Sequence, residues 1–317
     1  MQRLVSALSG ARILVTGADG FVGANLIKAL LDGGADLDAL VSGGGPLKRL
    51  GTFAGHPGLN IVAWDLMRNP TSLVEDKGYD LVFHLAAVMP GRPEANDPRA
   101  ITAVNVTATL ELAQALSRRG GLMVFASSFS EYSSKPDPIS EETLPLPTNL
   151  YGWTKAAAVL GLRSMNIPEA WTVARLFGIF GPFEAPQRLL PYVYGQLTQG
   201  REARLTSGEQ VRDFLFVEDA VEAVLATAVR AQARGRDFNI GTGIGLRVRD
   251  VVTMAGEQLG RPELLRFGAV GSISAAPDYA VADNRRVTTE LDWQPRVDAR
   301  EGVERTLAWL AGANART

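Results

Sequence analysis

Short apolar runs alternate with longer amphipathic stretches along the first half of the chain. Arg12–Thr16 (RILVT), Asp36–Val41 (DLDALV), Asn60–Trp64, Asp80–His84 (DLVFH), Leu122–Ala126 (LMVFA) and Ala170–Leu176 read as strands. Ala24–Leu31 has helical apolar spacing, and Ala100–Leu116 and the segment from Tyr151 onward also read as helices. Strands alternating with helices predict an α/β fold with a doubly wound parallel sheet. Gly178–Pro186 (GIFGPFEAP) breaks the alternation. Beyond it come a helix at Leu189–Leu197, a strand at Ala203–Thr206, a strand at Arg212–Val217 (RDFLFV) and a helix at Glu218–Arg230, whose acidic start suits its dipole. A short strand at Phe238–Gly241, a helix at Val248–Leu259, a turn at Leu291–Pro295 and a helix at Ala299–Leu310 complete the pattern. The expected division is a large lobe of residues 1–177 plus 211–244 and a smaller, discontinuous α/β lobe of 178–210 plus 245–317. The cleft between them is the expected substrate site.

Composition narrows the chemistry. A formal net charge of -2 leaves no basic footprint for nucleic acid. The chain has no cysteine, which removes disulfides and thiolate catalysis and fits a cytoplasmic protein. His56 and His84 are the only histidines, so no histidine-rich metal site is expected. Met1–Arg12 does not read as a signal peptide, and no apolar run is long enough to span a membrane.

Arg12–Thr16, Gly17-Ala-Asp-Gly20-Phe-Val-Gly23 and Ala24–Leu31 form a strand, a glycine turn and a helix. That context suits a dinucleotide, because glycines let the backbone approach a pyrophosphate at a helix N-terminus. The second strand ends in Val41, Ser42 and Gly43, without the acidic residue that would hydrogen-bond a ribose hydroxyl. Lys48 and Arg49 follow, so the pattern leans toward NADP over NAD, unless these cations simply sit on a solvated loop. Asp65 either accepts from an adenine amino group or caps the next turn. Leu85, Ala86 and Ala87 are small or apolar at a strand end and let a flat cofactor lie close. His84 reads as a packed strand-end residue ahead of a catalyst. Ser127-Ser128 sits at the mouth of the sheet, as a turn or as a holder of substrate oxygen. Tyr151 and Lys155 lie four apart on one helix face, where an ammonium would lower the phenol pKa toward a working general acid/base.

These signals stand in one order: TGADGFVG at Thr16, DL at Asp65, HLAA at His84, NV at Asn105, SS at Ser127 and YGWTK at Tyr151. RLFGIFGP at Arg175, RDFLFVED at Arg212, FNIG at Phe238 and LDWQP at Leu291 follow. The set resembles the extended short-chain dehydrogenase/reductase superfamily, in its NAD-dependent epimerase/dehydratase family acting on nucleotide-activated sugars. The resemblance runs from about Arg12 to Leu310 and implies a Rossmann domain in the large lobe. It implies that Tyr151 is the acid/base, that Lys155 holds the nicotinamide ribose, and that Ser128 is the catalytic hydroxyl. Gly17, Gly20 and Gly23 would cradle the pyrophosphate, with Phe21, Val22, Ser42, Asp65, Leu66, Leu85, Ala86, Ala87 and Asn105 completing the cofactor contacts. Arg212 would meet substrate phosphates, with Ser128 and Gly178 on the sugar side.

The departures matter as much. Family dehydratases carry Asp-Glu after the catalytic Thr; Phe129-Ser130 stands here, against dehydration. UDP-sugar epimerases usually carry Asn where Gly178 stands, and an Arg before Gly-Asp-Pro where Ser274–Asp278 has none. Leu205–Asp213 and Arg266–Val270 are similar to reductases of CDP-linked 4-keto-dideoxysugars. The resemblance therefore implies a 4-ketoreductase of a nucleotide-linked 4-keto-deoxysugar, with a 4-epimerase retaining NAD as the alternative. A non-enzymatic cofactor sensor on this fold would have no need of Ser128, Tyr151 and Lys155 together. A homodimer through Ala100–Leu116 and Tyr151–Met165 is the assembly it implies.

Overall fold

The computed structural model describes residues 1–43, 47–91, 93–271 and 278–314. Ser274–Pro277, in the C-terminal departure, lie outside the described residues. The predicted strands are present as β1 (Ile13–Thr16), β2 (Leu37–Val41), β3 (Leu59–Ala63), β4 (Leu81–His84), β5 (Leu122–Ser128) and β6 (Trp171–Leu176). The Asp237–Ile240 strand joins beside β6 and completes a seven-stranded sheet in the order β3, β2, β1, β4, β5, β6, Asp237–Ile240. All neighbouring pairs are parallel.

The strands read as continuous apolar runs because both faces are covered. Ile13, Val15, Leu81, Phe83, Leu122 and Val124 point into one cluster, with residues of helices Phe21–Asp32 and Val217–Val229. Leu14, Val82, Met123 and Phe125 alternate into the other, against helices Pro70–Lys77, Ala108–Ser117 and Leu150–Ser164. The two-residue period of a strand therefore feeds two cores at once. Chain order reverses between β1 and β4, which opens a crevice at their carboxyl ends.

A third cluster packs helices Leu189–Thr198, Val248–Gln258 and Ala299–Asn314 together, all within the stretches expected to form the smaller lobe. Val287, Leu291 and Trp293, in the stretch expected there, pack instead in the first cluster with Phe238 and Ile240. The Arg212–Val217 run is not one strand. Val211–Asp213 pairs with Gly245–Arg247 and Tyr279–Ala280, whereas Leu215–Phe216 pairs with Ile179–Phe180. The break follows from Asp213, whose buried carboxylate turns to the 242–243 backbone. Ala100–Leu116 is likewise interrupted, by a π-helical turn at Ala103–Thr107. Among the described residues, no helix is long and apolar enough to cross a membrane.

Candidate active site

The glycine turn after β1 is pressed against the chain leaving β4. Gly17 has φ 65°, and a Cβ there would lie 2.6 Å from the Ala86 nitrogen. A Cβ on Gly23 would collide with the Gly17 carbonyl, so the helix can start this close to the turn only without side chains. Gly20 is the N-cap and offers no side-chain cap to the Phe21–Asp32 helix. Its first-turn amides, including those of Phe21, Val22 and Gly23, remain suited to an anion. The residues at the switch point thus fit a dinucleotide pyrophosphate. Leu85, Ala86 and Ala87 line the β4 side, and Ser42 is exposed at the end of β2.

Asp19, inside the glycine turn, was not singled out from sequence. Its carboxylate accepts from the Lys48, Arg49 and Leu50 amides at 3.0, 2.7 and 2.8 Å. Those bonds outweigh its desolvation and hold its pKa below the usual carboxylate value. The Arg49 guanidinium donates to the Asp19 carbonyl at 3.1 Å and the Phe183 carbonyl at 2.6 Å. It is therefore tied to the framework rather than sitting on a solvated loop. Asp65 caps its own turn through the Met67 amide at 2.9 Å and pairs with Arg68 at 3.3 Å, while Leu66 beside it is buried.

The YGWTK segment opens the Leu150–Ser164 helix, with the Asn149 side chain accepting from the Gly152 amide at 2.9 Å. A Cβ on Gly152 would run into the Ser130 carbonyl. Glycine there lets the helix start lie against the turn after β5 and brings Tyr151 to Ser128. Ser128 itself caps that turn, its Oγ accepting from the Ser130 amide at 3.1 Å. Lys155 is buried, its Nζ donating to the Ala126 carbonyl at 2.8 Å and lying 5.9 Å from the Tyr151 ring centroid. The structure brings Ser128, Tyr151 and Lys155 together at the carboxyl end of β5.

The electrostatics differ from the sequence expectation. Burial pushes Tyr151 up to about 12; its hydrogen bond with Ser128 pulls down and Glu131 pushes up. Burial pulls Lys155 down to about 7, opposed by Glu131. Burial therefore dominates the Tyr151 hydroxyl, and the Lys155 ammonium is turned to the Ala126 carbonyl.

Asn105 sits in the π-helical turn, a feature often found at functional sites. Its side chain accepts from the Val88 amide at 2.8 Å and donates to the Val88 carbonyl and to Thr154 Oγ1 at 3.0 Å. Thr154 in turn donates to the Tyr151 carbonyl at 2.8 Å. One amide thereby couples the cofactor-side loop after β4 to the tyrosine helix. His84 is fully buried between Thr16 Oγ1 at 2.8 Å and Thr109 Oγ1 at 3.1 Å, and burial pushes its pKa down to about 3. Thr109 donates to the Asn105 carbonyl, so Nε2 carries the proton and Nδ1 accepts from Thr16. His84 is a framework residue.

On the substrate side, Arg212 is half-buried with Nη1 donating to the Val211 carbonyl at 2.8 Å, and desolvation lowers its pKa. Its neighbour Asp213 holds the strand in place. Asp213 accepts from Thr242 N and Oγ1 at 2.7 Å each, Gly243 N at 2.9 Å and Ala282 N at 3.2 Å. Only its adjacency to Arg212 hinted at this from sequence. Gly178 packs on the Asp213 carbonyl, leaving no room for a Cβ, which accounts for glycine there. Phe129 stacks against Phe177 with centroids 5.9 Å apart, and Ser130 Oγ bonds to Ser128 Oγ at 3.1 Å.

A parallel sheet with a glycine turn at its switch point and a Ser–Tyr–Lys group at the next strand ends defines a short-chain type of dinucleotide oxidoreductase. Residues 13–241 match the NAD dependent epimerase/dehydratase family, and the chain belongs to it. It is 31% identical over 313 residues to a dTDP-glucose 4,6-dehydratase of Streptomyces griseus, covering 94% of this chain and 93% of that one. It is 29% identical over 315 residues to a UDP-glucose 4-epimerase of Mycolicibacterium smegmatis, covering 94% and 98%. The solved structure of MoeE5 in complex with UDP-glucose and NAD superposes with a TM-score of 0.81 at 30% identity, covering 96% and 99%.

Proposed function

We propose that this enzyme transfers hydride at C4 of a nucleotide-activated sugar, with Tyr151 handling the proton. The carrying observation is the Ser128–Tyr151–Lys155 group at the mouth of a glycine-lined dinucleotide crevice. The turn amides at Gly17–Gly23 would hold the pyrophosphate, and Lys155 the nicotinamide ribose. The nicotinamide cofactor supplies the hydride equivalent. Tyr151 gives its proton to the developing alkoxide, Ser128 holds the same oxygen, and Arg212 binds the diphosphate as a fork.

The finer reading is a 4-ketoreductase. Reduction starts from a protonated Tyr151, whose hydroxyl stands beside Ser128. Dehydration would need an acid/base pair after Ser128; Phe129 is packed on Phe177, and Glu131 is committed to Ser127 and Arg175. A 4-epimerase is the second reading, favoured by relatives of that name such as the M. smegmatis protein. For cofactor, the neutral Val41-Ser42 at the end of β2 favours NADP, while MoeE5 was solved with NAD. The assembly we propose is a homodimer through Ala100–Leu116 and Tyr151–Met165, supported by the exposed Leu150, Trp153 and Leu160 at the second segment.

The test is thermal stabilisation by NAD, NADP and UDP-, dTDP- and CDP-linked sugars, followed by turnover on the stabilising pair. A reductase consumes reduced cofactor stoichiometrically, and an epimerase does not. Failure of every dinucleotide to stabilise the protein would refute the proposal.

A further inference from the structure

Two tight turns are locked together beside the dinucleotide crevice. The first is the glycine turn itself, where the Gly20 amide donates to the Gly17 carbonyl at 2.9 Å. The second spans residues 181–184, where the Glu184 amide donates to the Gly181 carbonyl at 3.3 Å. Pro182 and Phe183 are its central residues, and Phe183 has φ 70°. A turn with positive φ at that position usually carries Gly or Asn. For a bulky side chain the left-handed region is an outlier that persists only where the surroundings hold it. Three contacts do so here. The Phe183 carbonyl accepts from Arg49 Nε at 2.6 Å, and the Pro182 carbonyl accepts from Asn25 Nδ2 at 2.9 Å. The Phe183 ring packs on Trp309 and Phe53, with centroids 5.0 and 6.0 Å away. Asn25 belongs to the Phe21–Asp32 helix and also donates to the Phe21 carbonyl at 3.0 Å. Arg49 completes the lock, its Nη1 donating to the Asp19 carbonyl at 3.1 Å. The Asp19 carboxylate grips the same loop through the amides of Lys48, Arg49 and Leu50.

We infer that Arg49 is a positioning residue for the dinucleotide, a clasp between the glycine turn and the 181–184 turn rather than the reader of a 2′-phosphate. The inference rests on the dinucleotide reading above and says how that site is kept in shape. Asp19 stands inside the turn, just ahead of the Phe21, Val22 and Gly23 amides that would meet the pyrophosphate. Fixing its carbonyl fixes the direction of those amides before the ligand arrives. A site ordered in advance binds more tightly, because less ordering is left to the binding step. The planar guanidinium reaches both carbonyls at once through Nε and Nη1, which the point charge of an ammonium does not reproduce. Two of its nitrogens are thus turned to framework carbonyls, and what they hold in place serves NAD and NADP alike. This differs from the sequence expectation for Arg49 and leaves the end of β2 to discriminate between the two cofactors. Without the Arg49 bond, the strained Phe183 backbone loses one of its three restraints, so the 181–184 turn should open more often.

The test uses the intact protein with NADH and NADPH as probes. Stopped-flow displacement gives the release rate of each, and mass spectrometry follows amide exchange in the cofactor-free protein. Arg49→Gln should speed the release of both dinucleotides by a common factor of about ten, through the loss of two charge-assisted bonds. Arg49→Lys should recover little of this for either one. In cofactor-free Arg49→Gln, the amides of residues 181–184 should exchange about tenfold faster than in wild type. A loss confined to NADPH would make Arg49 the 2′-phosphate reader and overturn the inference. Lower thermal stability with both release rates unchanged would mark a merely structural contact and overturn it too. Should Arg49→Gln not fold, Arg49→Lys decides: release rates within about twofold of wild type would show that a point charge suffices, against the clasp. A wild-type protein that binds neither dinucleotide would refute the functional reading and with it the purpose given to Arg49. Amide exchange would still report on the clasp itself, so the two failures are told apart.

Discussion

Asp213→Asn tests whether the Val211–Asp213 strand is held to the turn after the Asp237–Ile240 strand through one carboxylate. In the native protein Oδ1 accepts from Thr242 N and Oγ1, and Oδ2 from Gly243 N and Ala282 N. The substitution keeps volume but turns one oxygen into an amide donor. One acceptor oxygen survives with its two bonds to Thr242, and the Gly243 and Ala282 N–H groups then face a donor in a buried site. Losing two charge-assisted bonds and leaving their donors unpaired costs about 3–6 kcal/mol. That is a large share of the roughly 5–15 kcal/mol by which domains are stable. At about 2 °C per kcal/mol for a chain of this size, Tm should fall by about 6–12 °C. Differential scanning fluorimetry of both proteins at neutral pH measures it. Arg212, on the adjacent position, should lose its register, so KM for the nucleotide-sugar should rise more than kcat falls. A Tm within about 1 °C of wild type would refute the reasoning, because a loss of two such bonds cannot be that small.

Other expectations follow from single residues. Gly17→Ala should abolish dinucleotide binding by calorimetry and lower Tm, since its Cβ would sit 2.6 Å from Ala86 N at a φ of 65°. His84 binds a proton in the unfolded chain below about 6.5 but resists it in the fold until about 3. The unfolded state therefore binds more protons across that window, so stability should fall as pH drops from about 6.5 to 3, and His84→Gln should flatten the dependence in urea titrations. Arg212→Ala should raise KM strongly and change kcat little, with Arg212→Lys recovering part, because phosphate binding is shared by ground and transition states. An unchanged KM would detach Arg212 from the phosphates.

The sheet was legible in the sequence because a parallel strand covered on both faces is a compact apolar run, and β1 to β6 are such runs. The glycine turn was legible because its spacing reports a local backbone need, as Gly17 shows. Tyr151 and Lys155 were legible because helix geometry brings residues four apart together. What the sequence hid is long-range. Glu131 meets Arg175, Arg175 meets Asp237, and Asp19 meets the 48–50 backbone, none of which has a local pattern. Arg212–Val217 looked like one strand because its apolar residues are contiguous, and Asp213 splits it by a bond to a turn about thirty residues away. The burial that raises the tyrosine pKa was hidden in the same way. The four-residue spacing places Lys155 beside Tyr151, but the Ala126 carbonyl from β5 decides where its ammonium points.

The most direct measurement is single-turnover reduction of a 4-keto nucleotide-sugar by Tyr151→Phe, followed through the absorbance of the reduced nicotinamide. The variant lacks only the hydroxyl, so its fold and its affinity for dinucleotide should match wild type. Its rate should fall by about 10²–10⁴, the usual worth of a positioned proton donor. A rate close to wild type, with cofactor bound as tightly as before, would contradict the assignment of Tyr151 as the proton donor and with it the mechanism.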